Sequence, residues 1–142
     1  MIASAAPLLL VIAAIVALGA TGNLLAPSPL GITVQAGAIA LSVWARRSFR
    51  RGTFRVTATP GSSSIIRSGP YHFVRHPMYA AVLLFIWSAV VSHLSVLTLA
   101  IGIAVTPVVI ARVVVEDRLL RARFPEYGEY ARSTKALVPY VF

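Results

Sequence analysis

A chain of 142 residues has room for one domain. It is 58% hydrophobic and 12% charged, with a mean hydropathy of +0.82. Soluble domains carry about 25% charged residues, so a water-soluble fold of this size could not hide so much apolar surface, and lipid is the expected solvent. There are no cysteines, which excludes disulfides, thiolate metal sites and a cysteine nucleophile; no metal site is expected.

The first apolar run, Ala5 to Ala26, is long enough to cross a hydrocarbon core of about 30 Å. A signal peptide is the alternative, but the run is long and no basic residue precedes it. Ala26-Pro27-Ser28-Pro29 cannot stay helical and reads as a tight turn. A second span is expected from about Leu30 to Ala45, stopping at Arg46-Arg47.

Residues 46–76 read as a polar, basic loop, broken by Gly52, Pro60, Gly61, Ser62-Ser63-Ser64 and Gly69-Pro70, with Thr53 to Thr59 weakly alternating. A loop of this length suggests a function of its own. From Met78 to Val115 the chain is almost uninterruptedly apolar. As one helix it would reach about 57 Å, nearly twice the core thickness. It must fold back, and Ser92-His93-Leu94-Ser95 is its polar break. Two spans follow, about 77–91 and 95–114, with Pro107 expected to kink the second. From Glu116 onward the tail is amphipathic and mostly helical, interrupted by Pro125 and Gly128.

The expected fold is thus all-α: one membrane domain of about four transmembrane helices, a basic loop and an amphipathic helical tail. The net charge is +9 with a pI near 11.4, and its placement is informative. Seven arginines fall between Arg46 and Arg75, and six more basic residues between Arg112 and Lys135. Two basic segments flanking apolar spans fit the positive-inside rule and anionic lipid headgroups better than nucleic acid. Both segments, and both termini, are then expected on the cytoplasmic side.

Two clusters carry possible chemistry. Gly69-Pro70-Tyr71-His72-Phe73-Val74-Arg75-His76-Pro77-Met78-Tyr79 sits where the basic loop enters the third span. An interfacial aromatic belt accounts for its composition. Its order adds something more: Arg75 and His76 directly precede Pro77, which suits a first helical turn, where backbone N–H groups favour anions. At the end of the fourth span stand Arg112, Glu116 and Asp117. Arg112 and Glu116 are spaced to share a helix face. A surface ion pair explains them simply, but acids at a membrane boundary are functional candidates. The hairpin 77–114 should bring both clusters to one face.

SGPYHFVRHPMY (Ser68 to Tyr79), an apolar hairpin, R-x3-E-D-x2-L (Arg112 to Leu120), F-P-E-Y-x2-Y and Val138-Pro139 together resemble the isoprenylcysteine carboxyl methyltransferase family. That superfamily comprises S-adenosylmethionine-dependent membrane methyltransferases and includes phospholipid methyltransferase relatives. The resemblance covers residues 52–142, a methyltransferase-like core; residues 1–51 hold two spans without a motif. It implies a cytoplasmic S-adenosylmethionine pocket built from the hairpin ends and the tail. Arg75, His76 and Tyr79 match the RHPxY motif, with Tyr71 and Val74 beside it. Arg112, Glu116 and Asp117 match the second block, Asp117 standing where glutamate is more usual, and Tyr130 matches the tail motif. The resemblance gives catalytic roles to Arg75, Arg112 and Glu116, and cofactor binding to Tyr71, Val74, Arg75, His76, Tyr79, Glu116, Asp117 and Tyr130. The expected acceptor is hydrophobic or lipid-like, such as an isoprenylcysteine-type carboxylate. Two alternatives stay open: a sterol-reductase-like enzyme on the same scaffold, and a non-enzymatic protein whose basic face binds membrane lipids. His93 is expected to be a turn residue, and Trp44 and Trp87 to pack or sit at the interface.

Overall fold

The computed structural model describes residues 6–56 and 65–138, with side chains outside 49–56. Among these residues there are five α-helices: α1 (Ala6–Ala20), α2 (Pro29–Val56), α3 (Pro77–Ser92), α4 (Val96–Arg123) and α5 (Tyr127–Ser133), with a 3-10 turn at Gly69–His72. Among the described residues there is no strand, only an isolated parallel bridge between Val74 and Lys135. The all-helical expectation holds. By length and composition α4 is the one described helix able to cross a membrane; α1 and α3 are apolar but shorter.

Three boundaries differ from the sequence expectation. The first helix stops at Ala20, well before Ala26. Gly22 adopts a φ of 72°, and the amides of Gly22 and Asn23 turn back to the carbonyls of Gly19 and Leu18 at 3.1 and 2.8 Å. This pairing is the Schellman cap, which ends a helix at a left-handed residue whatever the hydropathy beyond it. The second helix does not end at Arg46-Arg47 but continues to Val56. Arginine is a good helix former, so charge ends the apolar stretch without ending the helix. Thr53 to Val56 is accordingly helical, and Ser62-Ser63-Ser64 lies outside the described residues. In the tail, Gly128 lies inside α5 rather than breaking it.

The chain forms two compact units, to both of which α2, α3 and α4 contribute. The first takes the described residues of Met1–Ile39 and Val82–Arg112; the second takes those of Ala40–Ala81 and Val113–Phe142. In the first, Leu18, Ile86, Ala89, Val90, Thr98, Val105 and Val109 are buried. Its turns are closed by side chains. Gln35 accepts from the Ala26 amide at 3.0 Å and donates to the Leu24 carbonyl at 2.8 Å, and His93 Nε2 donates to the Leu25 carbonyl at 2.8 Å. Ser95 caps α4 by accepting from the Thr98 amide at 3.2 Å. Trp87 Nε1 donates to Thr106 Oγ1 at 3.0 Å. Both expectations hold: His93 is a turn residue and Trp87 a packing one.

Many large apolar side chains face outward, among them Leu8, Leu9, Val16, Leu30, Ile39 and Ile103. Exposed apolar area on this scale calls for a non-aqueous neighbour.

Candidate functional site

The site lies within the second unit. Its first segment is shaped by two punctuating residues. Gly69 has a φ of 64°, and a Cβ there would collide with the Ser48 side chain of α2, so only glycine lets the 3-10 turn pack this closely. His76 precedes Pro77, which disfavours helical geometry and keeps the segment extended until α3 begins. That extended stretch pairs with the tail. Beyond the Val74–Lys135 bridge, the Arg75 amide donates to the Lys135 carbonyl at 2.8 Å and the His76 amide to the Ala136 carbonyl at 3.0 Å.

The side chains converge on Asp117, which stands on α4 beyond its apolar stretch. Asp117 Oδ1 accepts from His76 Nε2 at 2.7 Å and from the Tyr127 hydroxyl at 2.5 Å. With a carboxylate as acceptor, that histidine nitrogen carries the proton. Asp117 Oδ2 accepts from Arg75 Nη2 at 3.2 Å. Arg75 Nη1 also donates to the carbonyls of Ala131, at 3.0 Å, and Thr134. Arg75 Nε is buried without a partner. One turn away, the Tyr79 hydroxyl donates to Glu116 Oε2 at 2.8 Å. Tyr130 donates to the Tyr71 carbonyl at 2.6 Å, and the Arg67 guanidinium lies 5.5 Å from the Tyr130 ring centroid.

These contacts set the ionisation behaviour. Burial raises the Asp117 carboxyl pKa, but the hydrogen bonds from Tyr127 and His76 and the charge of Arg75 outweigh it and hold the group below the usual carboxylate range. Burial, reinforced by the hydrogen bond to Asp117, pushes the Tyr127 phenol well above its ordinary value. Burial pushes Tyr130 up to about 12. Tyr71 is raised by burial and then by the charge of Glu116. All three phenols therefore keep their protons at neutral pH, and those of Tyr127 and Tyr130 donate hydrogen bonds.

A cleft of about 390 Å³ opens beside this cluster, lined by Arg75, Val113, Val114, Asp117, Ala131, Arg132, Thr134, Lys135 and Ala136. Its volume lies within the usual range for small-molecule sites, roughly 300–1,000 Å³. Its lining pairs apolar walls with the cationic Arg132 and Lys135, both exposed.

Of the residues singled out in the sequence, Tyr71, Val74, Arg75, His76, Tyr79, Glu116, Asp117 and Tyr130 come together in this unit. Arg112 belongs to the first unit and is half-buried. His72 is exposed. The sequence motifs did not single out the 131–136 strip, whose carbonyls receive Arg75 and the extended segment. Its contribution is backbone, which leaves no side-chain pattern to read. Tyr127 is legible as the first tyrosine of the F-P-E-Y-x2-Y motif, but its bond to Asp117 is not.

The phospholipid methyltransferase family matches the chain over residues 27–127. The cobalt-zinc-cadmium resistance protein CzcN of Cupriavidus metallidurans is 39% identical over 80 residues, covering 55% of this chain and 37% of that protein. The nickel-cobalt-cadmium resistance protein NccN of Alcaligenes xylosoxydans xylosoxydans is 35% identical over 83 residues, with the same coverage of 55% and 37%. The matched region thus spans little more than a third of the length of these curated relatives. No solved structure matches the chain. The chain belongs to the phospholipid methyltransferase family, a family of membrane methyltransferases that takes in the isoprenylcysteine carboxyl methyltransferase type.

Proposed function

We propose that the protein transfers a methyl group from S-adenosylmethionine to a hydrophobic or lipid-like acceptor, at the cleft beside Asp117. The observation that carries this reading is the donor set gathered there: exposed cations, a buried Arg75 Nε without a partner, nearby acids and apolar walls. That set suits an amino-acid-bearing nucleoside. Arg132 and Lys135 would hold its carboxylate, Glu116 its ammonium or ribose hydroxyls, and Val113, Val114 and Ala136 its flat apolar part. Arg75, His76, Tyr79 and Asp117, with Tyr71, Val74 and Tyr130, frame the site from the loop and tail sides.

S-adenosylmethionine, when bound, supplies an electrophilic methyl whose sulfonium charge disappears on transfer. The chain's task is then orientation and exclusion of water rather than strong acid catalysis. Tyr127 and Tyr130, which are 1% and 4% exposed, close the tail side as neutral groups. Arg75, bonded to two tail carbonyls, keeps them there.

We further propose four spans: α1, the apolar part of α2, α3 and the apolar part of α4, with residues 46–76 and 112–142 cytoplasmic. The outward apolar side chains of the helices support a lipid setting. Single cysteines at Ser63 and Ser133 should resist an impermeant thiol reagent in intact cells, while one at Ser28 should react. Reaction at Ser63 or Ser133 defeats the orientation.

Calorimetry in detergent tests the activity. S-adenosylmethionine and its demethylated product should bind the wild type, and Glu116→Ala should weaken both at least about tenfold. Binding of reduced nicotinamide cofactor instead would point to the reductase alternative, and binding of neither would defeat the enzyme reading. The relatives are named for resistance to cobalt, zinc, nickel and cadmium. Metal tolerance of a strain lacking this protein is therefore the physiological phenotype to measure.

A further inference from the structure

We propose that Asp117 is a positioning residue: it holds His76, Tyr127 and Arg75 on one carboxylate and so latches residues 127–137 onto the 71–76 segment before any ligand binds. A carboxylate offers about four acceptor positions. Asp117 commits three of them, two on Oδ1 and one on Oδ2. The resemblance groups this residue with those binding cofactor, but its oxygens are already engaged within the protein. The partners come from both sides of the latch. His76 and Arg75 belong to the extended segment, and Tyr127 opens α5.

Arg75 extends the latch. Its Nη2 is fixed by Asp117, and its Nη1 grips the carbonyls of Ala131 and Thr134 at the end of α5. The carboxylate therefore acts on the tail twice, directly through Tyr127 and indirectly by aiming the guanidinium. Its side chain is 16% exposed and that of Arg75 11%, so both charges are largely withdrawn from water and loss of one leaves the other without compensation. No other described acid can take this place. Glu116 is turned to Tyr79, while Glu126 and Glu129 are exposed. The strip that the latch positions, 131–136, also lines the cleft. An effect on ligand affinity rather than on the chemical step follows; this last point rests on the methyltransferase reading.

The test uses the full-length protein in detergent without ligand. Residue-resolved hydrogen–deuterium exchange follows the amides of Arg75 and His76, whose acceptors are the Lys135 and Ala136 carbonyls. Asp117→Asn should speed their exchange at least about tenfold, while the α3 amides of Trp87 and Val90 keep wild-type rates. Asp117→Glu, which keeps the charge, should restore most of the protection. Unchanged exchange at Arg75 and His76 in Asp117→Asn overturns the latch. If that variant opens the whole molecule, Tyr127→Phe decides, because it removes one donor without stranding a charge. It should speed the same two amides about threefold, and wild-type rates there overturn the proposal. A second arm measures turnover. Asp117→Asn should raise KM for S-adenosylmethionine at least about tenfold with kcat changed less than threefold; a collapse of kcat at saturation would make Asp117 part of the chemistry and also overturn the proposal. A wild type that binds no S-adenosylmethionine defeats the functional reading alone, since the exchange arm is read without it.

Discussion

In the first unit, polar side chains mostly serve turns. Gln35, His93, Ser95 and Thr98 satisfy backbone groups near them in space, and the interior between is Leu18, Ile86, Val90 and Val105. In the second, charged and phenolic groups tie together segments far apart in sequence: Arg75 and His76 with Asp117, Tyr79 with Glu116, Tyr130 with the Tyr71 carbonyl. The first unit loses little if one polar bond fails, because nonpolar packing is spread over many residues. The second concentrates its cohesion in a few low-dielectric contacts, each costly to break from one side only. Cohesion of that kind fixes a geometry narrowly, which is what a binding site requires.

The largest expected effect breaks the second unit. Arg75→Ala removes the partner of Asp117 and two carbonyl clasps, and should cost about 3–5 kcal/mol, the range for breaking a buried pair. Thermal or denaturant unfolding in detergent measures it, and a loss under about 1 kcal/mol would show the pair to be dispensable.

Alkaline titration sharpens the same contrast. Tyr130, raised from 10 to about 12, binds its proton more tightly folded than unfolded. Its contribution is complete below about pH 10 and is lost as pH rises toward 12, on the order of 3 kcal/mol at most. Tyr127 behaves in the same sense, held neutral by burial and by Asp117. Phenolate absorbance should therefore appear late and together with unfolding. In Tyr130→Phe the alkaline loss of stability should shrink.

Gly69→Ala should cost about 1–3 kcal/mol, through the positive φ and the collision with Ser48. It should do so without altering ordinary near-neutral pH behaviour, because no charge is involved. The smallest effect is expected in the first unit. Trp87→Phe removes the bond to Thr106, whose hydroxyl still donates to the Gly102 carbonyl at 2.8 Å, so no buried donor is stranded. About 1 kcal/mol or less should be lost. A loss equal to that of Arg75→Ala would erase the distinction between the units.

The sequence motifs already picked out most of the side chains that gather around Asp117, because these are rare residue types at fixed spacing. Arg75-His76-Pro77 and Glu116-Asp117 are conspicuous in a chain with only four acids. The turn at Ser92–Ser95 was equally legible, since no single helix could hold the apolar run on either side of it. The helix ends were not. Hydropathy reports solvent, whereas the end of α1 is decided by the backbone pairing of Gly22 and Asn23, and the length of α2 by helix propensity that persists through its arginines. The engagement of Arg75 was equally invisible, because its partners in the tail are carbonyls, which every residue possesses.

By itself, then, the sequence determined the helical class, the apolar character of the helices and which residue types could perform chemistry. Those follow from composition and periodicity, which are local. Tertiary structure decided that Asp117 faces three donors at once and that the tail strip 131–136 lies against the extended segment. Apart from Tyr127, ten positions from Asp117, both depend on pairings between residues some 40 to 60 positions apart. No local pattern encodes them, because a hydrogen-bond partner is selected by where folding brings it and not by its distance along the chain.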